Sequence, residues 1–371
     1  MSLSPTAAVS HGDGVIALTT GDVRVPVHPE RGAAAPRRDD QPYPPPAGGA
    51  ELRSLVAEHA STGAAEVPPD AVLIAPGARV AALVVLRAAA EGGEVLLPTP
   101  YWASYPTVIG AAGAKAVPVP GAVGTGVRAA DLEAARTPAT RAVVVNSPRN
   151  PDGAVTPSEE LAAVAEWAGH HGITVLFDEV YRGVPLRGGH APSALDLFGT
   201  LPEHCAVLDG LSKSHALAGL RIGWALASGG LLKRAQGLAS HLVGGVSAAV
   251  QATAAEAVRD RGLPERVGGP LTENMHRAAK TLDAVPGVSC PEPGGGIFLF
   301  PDLSGWLAER APEAARRDPV GWLREEHRVA VVDGAAFGAP GHVRLSFALP
   351  AERLDTGLGR LRAALEGGGH G

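Results

Sequence analysis

Cysteine and lysine are both scarce in this chain of 371 residues, and aromatic residues make up only 4% of it. Two cysteines, Cys205 and Cys290, are too few for a disulfide framework or a zinc site, so both read as small buried residues. No metal-ligating pattern is read elsewhere. Basic runs are missing as well, and a formal net charge of −6 removes the electrostatic case for a nucleic-acid partner. No stretch approaches the ~18 uninterrupted apolar residues of a membrane span. Met1 to Gly14 shows neither the basic nor the apolar region of a secretory signal, so a cytoplasmic protein is expected. The four lysines, Lys115, Lys213, Lys233 and Lys280, stand among 32 basic residues; lysine is therefore not generic surface charge here, and each one is worth a separate look.

What is present suits a folded chain: 45% hydrophobic and 19% charged residues, with ample length for a core. His28 to Gly49 has no apolar periodicity and reads as a long loop. Helical spacing follows from Leu52, Leu55 and Val56, then over 78–90, and over 158–171 with Ser158 as a candidate N-cap. Between them lie short apolar runs at 94–97, 116–119, 141–145, 173–177 and 206–208. Fully apolar strands alternating with helices predict an α/β fold with a buried, mostly parallel sheet covered on both faces. Beyond it, 329–332 and 343–347 read as strands and 319–327 and 351–366 as helices. We expect an N-terminal arm over 1–47, a large domain over 48–265 and a smaller α/β domain over 266–371 that the arm joins.

The most telling segment runs from Leu211 through Ser212, Lys213, Ser214 and His215 to Gly219, Arg221 and Gly223. It places one lysine in a polar, glycine-bearing turn and an arginine eight residues later. A lysine so placed can form a Schiff base with an aldehyde, and a guanidinium can hold a phosphate through two parallel hydrogen bonds. Upstream, the 141–145 strand ends in Asn146-Ser147-Pro148-Arg149-Asn150-Pro151-Asp152-Gly153, and the next strand ends in Asp178-Glu179-Val180-Tyr181. Open α/β sheets place ligands at such strand ends.

Taken together, the pattern S-K-x-x-x-x-x-G-x-R-x-G, the Asn-Pro turn and the D-E-x-Y element resemble the class I/II pyridoxal-phosphate aminotransferases, whose fold type I carries a seven-stranded, mostly parallel sheet and a smaller α/β domain. In the lysine loop, Ala216-Leu217-Ala218-Gly219-Leu220-Arg221 is most similar to the histidinol-phosphate branch. The resemblance implies pyridoxal 5′-phosphate as cofactor, bound covalently by Lys213. It implies that the carboxylate of Asp178 keeps the pyridine nitrogen protonated by direct attraction, with Asn150 and Tyr181 on the phenolic oxygen. Arg221, Ser212 and the helix start at Gly77, Ala78 and Arg79 would hold the phosphate, where free N–H groups and the helix dipole favour an anion. Tyr101, in Pro100-Tyr101-Trp102-Ala103-Ser104-Tyr105, would stack on the ring. Tyr43 would reach a neighbouring subunit's phosphate, implying a homodimer with shared active sites. Arg344 and Gly21 would receive the substrate's α-carboxylate, with glycine required for close backbone approach.

Several features depart from the family's pattern. Asp152 replaces the usual Thr, Gly210 stands where a phosphate-binding hydroxyl is common, and His215 replaces an aromatic residue. His215 is read either as a packed, hydrogen-bonded histidine or as a second acid/base. The Gly21–Tyr43 loop is short. Gly121 to Gly126 is glycine-rich but out of order for a dinucleotide site. The expected activity is transfer of an amino group from an L-α-amino acid to a 2-oxo acid. The alternatives are β-elimination (C–S lysis included), decarboxylation or cyclisation on the same scaffold; a non-catalytic sensor is a more distant rival.

Overall fold

The computed structural model describes residues 14–25, 43–61, 65–184 and 190–367. Most of the expected His28–Gly49 loop, including residues 28–42, lies outside them. The central sheet has seven strands: β1 (Val72–Ala75), β2 (Glu94–Pro98), β3 (Lys115–Val119), β4 (Thr140–Asn146), β5 (Thr174–Asp178), β6 (Cys205–Gly210) and β7 (Gly223–Leu226). Their order is β1-β7-β6-β5-β4-β2-β3. β2 to β6 pair in parallel, and β7 runs antiparallel to both its neighbours, β1 and β6.

Alternation along the inner strands sends apolar side chains to both faces of the sheet. Ile74, Leu96, Val143, Val175 and Val207 point into one core, whereas Leu73, Val95, Val144, Leu176 and Leu208 point into the other. The first core is closed by helices Ala50–Ala60, Ser158–His171 and Ala248–Arg259. The second is closed by α1 (Ala78–Ala90), Tyr105–Ala111 and Gly229–Leu242. Ser158 is not the cap expected from the sequence: the extended residue before the helix is Pro157, and Ser158 already lies in the first turn.

A third core joins Leu18, Val23 and Val25 to residues from α2 (Leu263–Asp283) onward. The boundary read at 265/266 falls in the first turn of α2. Here Phe298–Leu299, Val343–Ser346 and Val332–Asp333 form a small antiparallel sheet, while Ile16–Ala17 pairs in parallel with Val329–Ala330. The strand expected over 329–332 is therefore two short pieces serving different partners. The arm thus enters the C-terminal packing, and its continuation through Gly21 crosses the carboxyl ends of the large sheet, where Lys213 meets it.

Candidate active site

Four chain crossings at the carboxyl ends of the sheet enclose a cavity of about 830 Å³ including its open mouth. β4 leads to Asn146 and Asn150, β5 ends at Asp178, β6 leads through Gly210 to Ser212 and Lys213, and β1 leads to the start of α1. Asn146 and Asp178 are the last residues of their strands, which holds them rigidly, and the other groups follow on the turns and helix starts after the strands. Asn146 ties two of these ends together. Its amide donates to the Asp178 carbonyl at 2.9 Å, and its oxygen accepts from the Asn150 N–H at 2.8 Å.

Asp178 is buried, and burial pushes its carboxyl pKa up. The Tyr105 hydroxyl opposes that by donating to Oδ2 at 2.5 Å, and the Val180 N–H adds a weaker contact to Oδ1. Asn150 Nδ2 lies 3.4 Å from the Tyr181 hydroxyl, and burial raises the tyrosine's pKa above its ordinary value. Lys213 Nζ donates to the Gly21 carbonyl and sits 5.7 Å from the Tyr181 ring centroid. Burial first, and then Arg344 and Arg221, push its pKa down to about 8 against the opposing pull of Asp22 and Asp178. A substantial fraction of the amine is thereby neutral near physiological pH, as a nucleophile or proton carrier requires.

Arg221 takes a left-handed backbone conformation, φ 54°, and donates to the Ala218 carbonyl at 2.7 Å. Gly77, φ 87°, is required beside it, since a Cβ there would come 2.7 Å from Arg221 Nη2. Gly223 is needed for a similar reason: its Cβ would meet the Ala78 nitrogen at 2.3 Å, closing β7 against the helix start. At Gly210 a side chain would meet the Gly223 Cα at 2.8 Å, so this chain has no room for the hydroxyl common at that position.

On the other side, Arg344 is buried between Phe298 and Phe337, its guanidinium carbon 4.0 and 4.8 Å from the two ring centroids. It donates to Asn150 Oδ1 at 3.0 Å and to the Thr19 carbonyl at 3.2 Å, and burial lowers its pKa to about 10, leaving it cationic. The Arg79 guanidinium, on the first turn of α1, lies 4.8 Å over the Trp102 ring.

The cavity brings together Gly21, Ala78, Arg79, Asn150, Asp178, Tyr181, Ser212, Lys213, Arg221 and Arg344. Tyr101 is not among them, which corrects the expectation that it stacks on the ring. Its N–H is bound to the Phe337 carbonyl at 3.1 Å and its ring lies against Gly338, so it faces the C-terminal packing while Trp102 turns into the cavity. Gly77 supports the wall from behind, and Tyr43 lies outside it, 98% exposed. His215 is buried beneath the lysine loop: its Nδ1 lies 2.8 Å from Ser214 Oγ and its ring packs edge-on to His59 at 5.9 Å. It does not line the cavity, which favours the packed histidine over the second acid/base. Sequence reasoning assigned no role to Trp102, Tyr105, Asn146 or Phe298. The first three stood inside quoted motifs; Phe298 gave no signal beyond an apolar strand residue. Both cysteines are buried with thiol pKa values raised to about 12, which rules out thiolate chemistry at either.

A depressed lysine amine, a buried carboxylate and three guanidiniums around one cavity serve the chemistry of an amine, an acidic substrate and an anionic aldehyde cofactor, and the sheet that holds them is that of the fold-type-I enzymes. The chain belongs to the class I and II aminotransferase family, whose pattern it matches over residues 13–361, and it is an aminotransferase. It is 32% identical over 366 residues to the aspartate aminotransferase of Bacillus subtilis (strain 168), covering 96% of this chain and 92% of that one. It is 33% identical over 319 residues to the arginine–pyruvate transaminase of Pseudomonas aeruginosa, covering 84% and 79%. Among solved structures, the aspartate aminotransferase of Thermus thermophilus with maleate superposes with a TM-score of 0.81 at 31% identity, covering 94% of this chain and 91% of that one.

Proposed function

We propose that this aminotransferase holds pyridoxal 5′-phosphate in the cavity and acts on dicarboxylic α-amino acids, L-aspartate foremost, with a 2-oxo acid as acceptor. The observation that carries the cofactor assignment is the convergence of the Lys213 amine, the Asp178 carboxylate and Arg221 on one cavity. The residues fit the group. Lys213 would hold its aldehyde carbon and Asp178 its ring nitrogen, with Asn150 and Tyr181 at its phenolic oxygen. Its phosphate would be held by Arg221, Ser212 and the N–H groups of Ala78 and Arg79. Trp102 would cover the ring. When bound, the cofactor supplies an electron sink for the pair left as the substrate loses its Cα proton.

The chain's own residues do the rest. Arg344 binds the α-carboxylate and thereby orients Cα, and its two flanking aromatic rings keep water from the guanidinium faces. Lys213 Nζ, in its neutral form, would take the proton from the substrate's Cα and return one when the acceptor is converted. With Arg221 assigned to phosphate and Arg344 to the α-carboxylate, Arg79 is the remaining cation in the cavity, and we assign it the side-chain carboxylate. The relatives named as aspartate aminotransferases, one of them solved with the dicarboxylate maleate, support this choice. Elimination, decarboxylation and cyclisation drew on His215, which does not line the cavity, and on the short Gly21–Tyr43 loop, most of which lies outside the described residues.

Fully exposed Tyr43 stands beside a groove formed with Pro44, Pro45 and Ala252, a surface that suits a second copy of the chain and a homodimer with shared active sites. Two free buried cysteines, together with the lack of any described helix long and apolar enough to cross a membrane, fit a cytoplasmic setting.

The test is an anaerobic absorbance scan of the holoenzyme against L-amino acids without any 2-oxo acid, followed by product identification. Loss of the cofactor's Schiff-base band with one equivalent of oxaloacetate from L-aspartate is expected. Catalytic release of ammonia, a thiol or carbon dioxide with the band retained would refute the assignment. Arg79→Met should lower kcat/KM for aspartate by about 30- to 150-fold, the worth of a charge-assisted pair of ~2–3 kcal/mol, and spare alanine.

A further inference from the structure

We propose that the buried Arg149–Asp152 ion pair positions Trp102 and Asn150 relative to one another, and so sets the gap in which the cofactor ring lies. The two side chains flank Asn150 on the turn after β4 and are only 4% and 1% exposed. Arg149 grips both carboxylate oxygens of Asp152, with Nε to Oδ1 at 2.8 Å and Nη2 to Oδ2. Its remaining donors reach other loops, Nη2 to the Ala122 carbonyl at 3.1 Å and Nη1 to the Thr99 carbonyl at 3.4 Å. Asp152 in turn accepts from the N–H of Gly124 at 2.8 Å and of Ala154 at 3.3 Å.

One ion pair thus ties the turn after β4 to two other loops, which are themselves joined by the Gly121 N–H donating to Thr99 Oγ1 at 3.1 Å. The loop after β2 ends in Trp102, the turn after β4 carries Asn150, and the glycine-rich 121–124 loop lies between them. That loop is pressed onto the first, for a Cβ at Gly121 would come 2.4 Å from the Thr99 carbonyl oxygen. This gives the Gly121–Gly126 segment a use that its sequence did not disclose.

Stability is a poor explanation for the pair, because a buried ion pair is often no better than a neutral, well-packed replacement. Geometry is a better one. A fork of two parallel hydrogen bonds is directional, and Nη2 and Nη1 can reach the Ala122 and Thr99 carbonyls only if all three loops keep their spacing. Displacement of a binding group by as little as 1 Å can cost orders of magnitude in rate. Neither residue touches the cavity, so both act through Trp102 and Asn150, and the proposal rests on the ring contacts assigned above.

The experiment compares holoenzyme variants by kcat, KM, melting temperature and the pH midpoint of the bound cofactor's absorbance. Arg149→Met combined with Asp152→Asn removes both charges and both long arms. We expect an unchanged melting temperature, a kcat at least about tenfold lower, and a midpoint displaced in the same direction as in Asn150→Ala. Wild-type kcat and midpoint in the double variant would overturn the proposal. Should the double variant fail to fold, Arg149→Lys, which keeps the charge opposite Asp152 and loses the second arm, is read by the same criteria. Controls Asn150→Ala and Trp102→Leu separate the two layers: if neither moves kcat or midpoint, the ring contacts fall and the positioning pair with them. If both move them and the pair variants do not, only the pair is refuted.

Discussion

Lys213 should destabilise the very fold that uses it, in a pH window set by its own amine. An ordinary lysine titrates near 10.5, whereas burial brings Lys213 down to about 8. A base whose folded pKa lies below its unfolded value binds protons less readily when folded, so the native state is penalised wherever the unfolded amine is charged. The penalty is full below pH 8, declines between 8 and 10.5, and vanishes above. At ~1.36 kcal/mol per pH unit the gap corresponds to about 3 kcal/mol at pH 7 and under ~1 kcal/mol at pH 10. Because the amine is half-buried and opens on a water-accessible cavity, these figures are upper bounds. Lys213→Met keeps the length of the side chain and removes the charge. Urea unfolding of cofactor-free wild type and variant at both pH values should show the variant gaining up to about 2 kcal/mol more at pH 7 than at pH 10. Taking the difference between pH values cancels the pH-independent loss of the Gly21 contact. A gain equal at both pH values, or no gain at either, would refute an amine whose pKa is lowered by burial. The same shift raises the neutral fraction of the amine at pH 7 from about 0.03% to about 10%, a reactive site obtained at the expense of stability.

Asp178→Asn removes the charge opposite the cofactor nitrogen and should lower kcat by several orders of magnitude, with a melting temperature unchanged or raised because burial already disfavours the ionised form; near-normal turnover would break the electrostatic assignment. Tyr105→Phe deletes one strong donor to Asp178, worth about 1.5–3 kcal/mol. Without that donor the Asp178 carboxyl should titrate higher still, so the acid limb of the kcat profile moves to higher pH, whereas a profile superimposable on wild type would remove Tyr105 from the site's electrostatics.

The parts of the fold that were legible in the sequence are those where one physical signal dominated. The 140–146 and 174–178 strands are apolar runs buried on both faces, and their motifs sit at their ends because the sheet delivers them there. β1 and β7 went unread: each has four residues, and Gly223-Trp224 carries no β-branched side chain. α2 hides better still, because Gly268, Gly269 and Pro270 lie inside it. Burial of Val267, Leu271, Met275, Ala278 and Leu282 on one face overrides the local penalty. Within the site, charged and glycine positions were readable because their chemistry tolerates few substitutes. The choice between Tyr101 and Trp102 was not, since adjacent residues after a turn face opposite ways and both are aromatic. The histidinol-phosphate branch was read from the lysine loop alone, and relatives matched along most of the chain include aspartate aminotransferases. A dozen residues around a phosphate report the cofactor more than the substrate.

Strand β7 has a consequence for the order in which the protein can be made. It lies between β1 and β6, pairing antiparallel with each. α1 packs on β4, β5 and β6 as well as on β7, and the Gly77–Arg79 helix start meets β7 directly, where a Cβ at Gly223 would come 2.3 Å from the Ala78 nitrogen. With a phosphate assigned to that helix start, a chain that ends before residue 223 lacks the strand against which the proposed cradle closes.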